Sequence, residues 1–264
     1  MKRLTQAIYI NNRLRIFLSL VFFLHLSACA PAQEPAAPAK APPAAEVKDP
    51  PGLKRLTPDG EVWLDVNNKR VVLNGYVCLR EGQLEMMVTL AETKEHEAIL
   101  AIKSKAFIVQ AGLLALGAKV GSPVQFRPEY KPPTGTEIEV EIEWTGPDGK
   151  THKARAQDWI RHVRTQQAMT FPFVFAGSGF FVDETNKERV FLAEEGDFIC
   201  VSNFPSAMLD VPVASSQGND ALMFEAFTER IPPVKTPVKI YLTPKLGKPG
   251  DKQPEATPAK TPEK

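Results

Sequence analysis

The chain has 264 residues, 43% apolar and 24% charged, an ordinary globular composition that excludes a wholly disordered or fibrous protein. Its 32 Lys+Arg against 31 Asp+Glu leave a net charge of +1, so no uniform field marks it as a nucleic-acid binder. Three cysteines are too few for a disulfide-dense scaffold or a four-cysteine zinc or iron–sulfur site.

The N-terminus is basic, with Lys2, Arg3, Arg13 and Arg15 and no acidic residue. An apolar run from Ile16 to Leu26 follows, broken only by Ser19 and His25. It is too short to span a bilayer as a stable helix, so residues 1–28 read as a signal peptide. The run ends in Leu26-Ser27-Ala28-Cys29, which closely resembles the lipobox of bacterial lipoproteins. The resemblance implies cleavage before Cys29 and acylation of its thiol, with several acyl chains giving a stable anchor. Ala30 stands where an Asp would imply inner-membrane retention. The expected location is therefore the bacterial cell envelope, lipid-anchored and periplasm-facing, at the outer membrane.

Eight of the 24 prolines lie in Pro31–Pro58 and five in Pro244–Pro262. Neither segment holds enough large apolar residues to offset chain entropy. Residues 29–56 read as a Pro/Ala tether whose stretch from Ala30 to Lys54 reaches on the order of 75 Å at about 3.1 Å per residue. Residues 245–264 read as a disordered Lys/Pro tail. That leaves 57–244 for a core, enough for one sizeable domain or two coupled lobes.

Within it, Val62–Val66, a turn at Asn67-Asn68-Lys69, and Arg70–Leu73 read as a hairpin. Tyr76–Leu79 and Leu84–Leu90 are expected strands, and His96–Ile102 an expected short helix. Ala106–Leu116 is apolar nearly all round, which predicts a buried helix ending at Gly117, with Ser104 as its N-cap. Glu137–Trp144 alternates cleanly: Ile138, Val140, Ile142 and Trp144 face one way, four glutamates the other. A turn at Pro147-Asp148-Gly149 returns the chain along Thr151–Ala156, and Ala156–Val163 is an expected helical turn. Phe171–Phe175, Gly179–Asp183, Glu188–Leu192 and Asp197–Val201 read as short strands. Asn219–Phe227 has helical spacing, and Pro237–Leu242 closes the core as a strand.

The two halves echo each other. Pro132-Pro133-Thr134-Gly135-Thr136 leads into Glu137–Ile142 much as Pro232-Pro233-Val234-Lys235-Thr236 leads into Pro237–Leu242. Asn68–Leu73 stands before Cys78, and Asn186–Leu192 before Cys200. The expected fold is α+β: two pseudo-repeated strand-rich lobes, 60–145 and 180–243, each with one buried helix, around a single compact core.

The candidate chemistry is sparse. Cys78 and Cys200 sit in apolar strand contexts as buried thiols, an extracytoplasmic disulfide, or reactive groups. Glu95-His96-Glu97 can hold a divalent metal or supply an acid–base pair, or can simply begin a helix. Leu100 stands four residues after His96, so the zinc-protease helix is absent. Asp158 and Trp159 can offer a carboxylate and an aromatic wall, or a cap and a core residue. Gly177-Ser178-Gly179 lacks the nucleophile-elbow frame and reads as a tight turn.

Several stretches resemble the bacterial YdjY-domain proteins. They are Val77–Gly82, Lys94–Glu97, Gln157-Asp158-Trp159, Phe175–Phe180, Cys200-Val201-Ser202-Asn203-Phe204-Pro205-Ser206-Ala207-Met208-Leu209, and Phe224–Pro233. The resemblance spans 57–244 and implies no established activity. Relatives labelled ferredoxin-like, or lying beside iron–sulfur modules, imply at most an accessory role in an envelope redox system. This chain has no CxxCxxC run to ligate such a cluster. The expected function is a non-catalytic binding or assembly module whose partners are the lipid bilayer, through Cys29, and an envelope protein, with no nucleic acid and no evident cofactor. The alternative is a metal-dependent or thiol-based enzyme around His96 and Glu97.

Overall fold

The computed structural model describes residues 49–58, 60–215 and 222–247. The leader, Cys29, the tether up to residue 48, residues 219–221 of the expected second helix and the tail from residue 248 lie outside them.

Among the described residues the chain forms fourteen strands and one α-helix. The first half supplies β1 (Lys54–Arg55), β2 (Val62–Asp65), β3 (Arg70–Val77), β4 (Met86–Leu90), β5 (Ala98–Ile102), α1 (Ala106–Ala115), β6 (Glu137–Thr145) and β7 (Thr151–Arg155). A 3₁₀ turn at Ala156–Trp159 leads to β8 (Ile160–His162), β9 (Phe173–Val174), β10 (Phe180–Val182), β11 (Arg189–Phe191), β12 (Ile199–Cys200), β13 (Phe224–Ala226) and β14 (Pro237–Pro244).

Ten strands make one sheet with the spine β12-β4-β5-β3-β14-β6-β7. Three long strands form its middle, because β14 pairs antiparallel with β3 on one side and with β6 on the other. The outer edge of β3 is shared end to end: Arg70–Leu73 pair with β2 and Gly75–Val77 with β5. The outer edge of β6 is likewise shared between β7 and β9. Two small two-stranded sheets, the β10–β11 hairpin and the non-local pair β13–β8, complete the described fold.

Alternation explains the faces. In β6 the expected inward set Ile138, Val140 and Ile142 is buried, and Trp144 stacks edge-on against Trp159 at 5.1 Å. In β3, Val71 and Leu73 face the main core with α1, whereas Val72 joins Trp63 and Tyr241 in a small cluster on the other face. Phe173, Phe175, Phe198 and Phe224 are fully buried, each stabilising the fold by about 1.5–3 kcal/mol of apolar transfer.

Five expectations are corrected. His96–Ile102 is not a helix: Ala98–Ile102 is a strand, buried at every position and parallel to β4. A strand covered on both faces reads as a continuous apolar run, which periodicity cannot distinguish from a helix. Phe224–Ala226, inside the expected second helix, is also a strand, paired with β8, and three residues are too short a run for periodicity to decide. The two halves are not separate lobes with a helix each, because β14 of the second lies between β3 and β6 of the first. The echoing strands Glu137–Ile142 and Pro237–Leu242 are neighbours, paired about Glu141 and Tyr241, but Arg70–Leu73 lies in the large sheet and Arg189–Phe191 in a separate one. Finally, α1 is buried on one side only, leaving Phe107 and Leu114 exposed. Its end at Gly117, with φ +92°, is as expected. Its start is not, since Lys105 holds the cap position without a side-chain bond and Glu194 accepts the Phe107 amide at 3.0 Å.

Gly75 marks where β3 changes partners. A Cβ there would meet the Ala101 carbonyl oxygen at 2.8 Å and the Ile240 side chain at 3.3 Å. Gly75→Ala is expected to destabilise the domain by about 1–3 kcal/mol, read as a lowered urea midpoint with an unchanged m-value.

Candidate functional site

The expected polar residues are placed apart and are mostly engaged. Glu95 lies in the β4–β5 loop, where its Oε1 accepts from the Tyr76 hydroxyl and the Glu92 amide, both at 2.8 Å. Burial and then Glu95 push the Tyr76 phenol up to about 12. His96 points to solvent with a side chain 77% exposed, 3.8 Å from Glu97. Glu97 faces Glu85, whose carboxyl is raised first by burial and then by the Glu97 charge. Asp158 belongs to the 3₁₀ turn, where it binds the Arg155 guanidinium at 2.9 Å. Trp159 is a core residue. Among the described residues no group of three or more His, Cys, Asp or Glu side chains is arranged to hold a metal.

The two thiols are free and well separated in the sheet. Cys200 pairs with Met86 on β4, while Cys78 follows β3 and donates to the Ala98 carbonyl of β5 at 3.0 Å. Two strands, β4 and β5, therefore stand between them. At about 4.8 Å per strand that spacing exceeds the reach of a disulfide. Burial and the Glu95 charge push Cys78 up to about 12. Burial, with Asp210 and Asp197 adding to it, holds Cys200 well above its ordinary value. Both sulfurs are thus protonated and poorly nucleophilic at neutral pH.

The long Cys200–Leu209 stretch is organised by residues that composition and spacing did not single out. Asn203 is fully buried; its Nδ2 donates to Asp210 Oδ1 and to the Val211 carbonyl, each at 3.0 Å. Its Oδ1 accepts from the Ser215 amide at 2.9 Å and from the Tyr130 hydroxyl at 3.2 Å. Burial pushes Asp210 up to about 8, against the lowering effect of Asn203 and of the Val211 and Phe204 amides. Burial and then the Asp210 charge push Tyr130 up to about 12. Beside this hub, Lys94 Nζ binds Asp197 Oδ1 at 2.7 Å and lies 4.7 Å from the centre of the Phe204 ring. Burial opposes the Lys94 charge most, but the Asp197 bond and the neighbouring charges of Asp197 and Glu97 together outweigh it and hold the amine above its ordinary value. Asp197 also accepts from the Ser206 hydroxyl. Ser178, in its left-handed turn, donates to the Ser206 carbonyl at 2.6 Å. These bonds lock the loops together.

A different surface has the character of a binding site. The outer side of α1 and the β10–β11 hairpin enclose a groove of about 600 Å³. Phe107, Leu114 and Phe180 line it at 41%, 47% and 50% exposure, with Ala111 and Phe191 between them. Its rim is charged by Lys105, Arg189, Glu188 and Glu194. Gln110 ties the helix to the Gly177 carbonyl at 3.0 Å, and Arg189 stacks on Phe180 at 4.5 Å, so both walls are held. Exposed apolar surface continues along the hairpin through Phe181 and Val182. Contiguous exposed apolar surface of this kind marks an interaction site more often than scattered single residues do.

Two outcomes follow from the buried groups. Asp210 binds its proton more tightly in the folded chain, at about 8, than its ordinary value of 3.8. The native state therefore holds more protons than the unfolded one across that window, and stability falls as pH rises through it. The fall is at most about 1.4 kcal/mol per pH unit. Urea midpoints measured across the window are expected to decline for the wild type relative to Asp210→Asn; parallel curves would contradict this. Titration with an aromatic disulfide reagent at pH 7 is expected to find Cys200 unreactive until denaturant is added.

No curated protein and no solved structure matches the chain. The family model for the YdjY domain matches residues 62–243, from the start of β2 into the central strand β14. The chain therefore belongs to the YdjY-domain family.

Proposed function

We propose that this protein is a lipid-anchored lipoprotein of the bacterial envelope, acting as a non-catalytic binding or assembly module through the groove between α1 and the β10–β11 hairpin. The observation that carries this reading is the apolar outer side of α1. Phe107 and Leu114 remain exposed although the helix already buries Ala106, Val109, Gly112 and Leu113. Exposed Phe and Leu side chains of this size favour a partner that removes them from water, by about 25 cal/mol per Å² covered. The anchoring half of the proposal rests on Leu26-Ser27-Ala28-Cys29 and the basic start before it. Among the described residues no helix is long and apolar enough to cross a membrane. A tether of Pro and Ala between Cys29 and the domain would hold the groove clear of the lipid surface.

Cells expressing the full chain are expected to incorporate labelled palmitate into it, and Cys29→Ser is expected to abolish the label and leave the leader attached. A photo-crosslinking phenylalanine at position 107 or 180 is expected to give a discrete adduct in intact cells. The same group at Lys153 on the polar edge strand β7 is expected to give none. Leu114→Glu should remove the adduct while leaving the thermal midpoint within a few degrees of wild type. Equal labelling at all three positions would defeat the groove as a binding face.

A further inference from the structure

A strand edge is a template for further pairing, and folds blunt their edges with charge, shortness or cover. Edges elsewhere in this domain are blunted in those ways. β7, at one end of the large sheet, carries His152, Lys153 and Arg155. β12, at the other end, is two residues long, has a register shift and meets Leu209 in a bridge. In the β13–β8 sheet, Glu225 bridges to Gln83 and Arg161 to Ala168. In the β10–β11 hairpin, β11 lines the groove through Arg189, Val190 and Phe191.

β10 has none of these protections. Phe180, Phe181 and Val182 are about half exposed, and the strand carries no charge, no proline and no bulge. Its pairing with β11 fixes which backbone groups remain. Leu192 donates its amide to the Gly179 carbonyl and Asp183 donates to the Glu188 carbonyl, both at 2.9 Å. Residues 179, 181 and 183 therefore bond toward β11, and the N–H and C=O of Phe180 and Val182 point to the outer edge. Among the described residues no other strand or bridge pairs with β10.

This edge is complementary to itself. When two copies lie antiparallel about Phe181, Phe180 of each stands opposite Val182 of the other, and every outward N–H and C=O is answered. Phe181 then meets its own equivalent in the closer, non-hydrogen-bonded kind of pair, a favourable aromatic contact across strands. The charges agree with this register. Asp183 falls opposite Gly179 of the other copy, so no carboxylates face each other. The two Arg189 side chains lie three strand spacings apart, about 14 Å, beyond a screening length of about 8 Å.

We propose that two copies of this chain pair through β10 in this register and join their hairpins into one four-stranded sheet. The pairing goes beyond the reading of the groove and stands on the strand edge alone. It also bears on the groove, because Phe180 and Val182 share the face of the hairpin that carries Arg189 and Phe191. Val182 of the second copy comes to lie beside Phe180 and lengthens the apolar wall that Phe180 begins. Three residues a side cover far less than the about 800 Å² per partner of a standard interface, so the dimer is weak and reversible and forms where copies are concentrated.

The test uses the full chain, expressed in cells and oxidised with copper phenanthroline. Phe181→Cys is expected to form a disulfide-linked dimer, because its equivalents stand about 4.5 Å apart at Cα, within reach of the bond. Phe180→Cys is expected to give roughly fivefold less, since its equivalents stand about 8 Å apart. Wild type, with Cys78 and Cys200 as free thiols, sets the background. Adding Val182→Pro to Phe181→Cys removes an outward N–H without touching the ladder to β11 and is expected to lower the yield roughly fivefold. Val182→Lys keeps every backbone group, guards the edge with a charge and is expected to act in the same direction. Equal yields at 180 and 181, a yield indifferent to both Val182 changes, a cross-link only to another protein, or no dimer above wild type would each overturn the pairing. The photo-adduct at Phe107 reads the groove separately. Its survival when the dimer fails leaves the binding face in place, and its loss removes that face whether or not β10 pairs.

Discussion

The position of β14 between β3 and β6 is the constraint from which the rest of the structure follows. Val238–Leu242 pair with both neighbours at once, Tyr241 lying opposite Val72 on one side and Glu141 on the other. The last strand among the described residues is thus the middle of the sheet, and the central layer is incomplete until it arrives. Non-local pairing of this kind is slow to form, because loop-closure entropy is lost before the contacts compensate it. It also fixes geography. The chain must leave the sheet at Pro244, beside Ile138 of β6, and Leu246 then reaches the end of α1. The place where the tail begins is a consequence of where the sheet is closed.

Around that sheet, the stretches that carry the family resemblance hold one another. Arg80 donates to the carbonyls of Ile231 and Thr228, and the Thr228 hydroxyl donates back to the Arg80 carbonyl at 2.7 Å. The Phe227 amide binds the Trp159 carbonyl, and Arg230 binds that of Asp158. Gly177 and Ser178 donate their amides to Met208 and Ala207. Lys94 reaches Asp197, and Asn203 gathers Asp210, Ser215 and Tyr130. These polar residues satisfy backbone groups of irregular loops that burial would otherwise leave without partners. Their chemistry is consumed in building the fold, which is why the sharpest polar motifs do not converge on a cleft.

The same distinction explains what was legible in the sequence. Half-exposed strands announce themselves: Ile138, Val140 and Ile142 alternate with glutamates because one face meets core and the other water. The turn at Asn67-Asn68-Lys69 and the stop at Gly117 were also local, decided by residues able to take up left-handed backbone, with Lys69 at φ 52°. A strand buried on both faces carries no such alternation, so Ala98–Ile102 resembled a helix, and Phe224–Ala226 is too short for its alternation to stand out. The cap of α1 was out of reach, since Glu194 comes from the other half of the chain. So was the hub at Asn203: its residue lay inside a motif noted for its length, but the partners Asp210, Ser215 and Tyr130 are brought together only by tertiary packing. The groove was hidden in a correct observation, the apolar character of α1, read as complete burial when only one side is covered.

That helix is built the opposite way from an ordinary amphipathic one. Its inner side is mostly small, with Ala106, Val109 and Gly112 beside Leu113, whereas its outer side carries Phe107 and Leu114. Small residues inside let it lie close to the sheet: a side chain on Gly112 would come within 2.9 Å of Leu56. Placing Gly within a helix costs about 1 kcal/mol relative to Ala, which the close packing offsets. Nothing in that packing requires bulky apolar groups outside; charged or polar residues there would serve the helix as well and raise solubility. The opposing β10 presents Phe180 across the same hollow, and Phe181 and Val182 beside it are also exposed. Two elements from distant parts of the chain, each apolar on a side its own fold does not need, therefore face one another, and a shared occupant accounts for both.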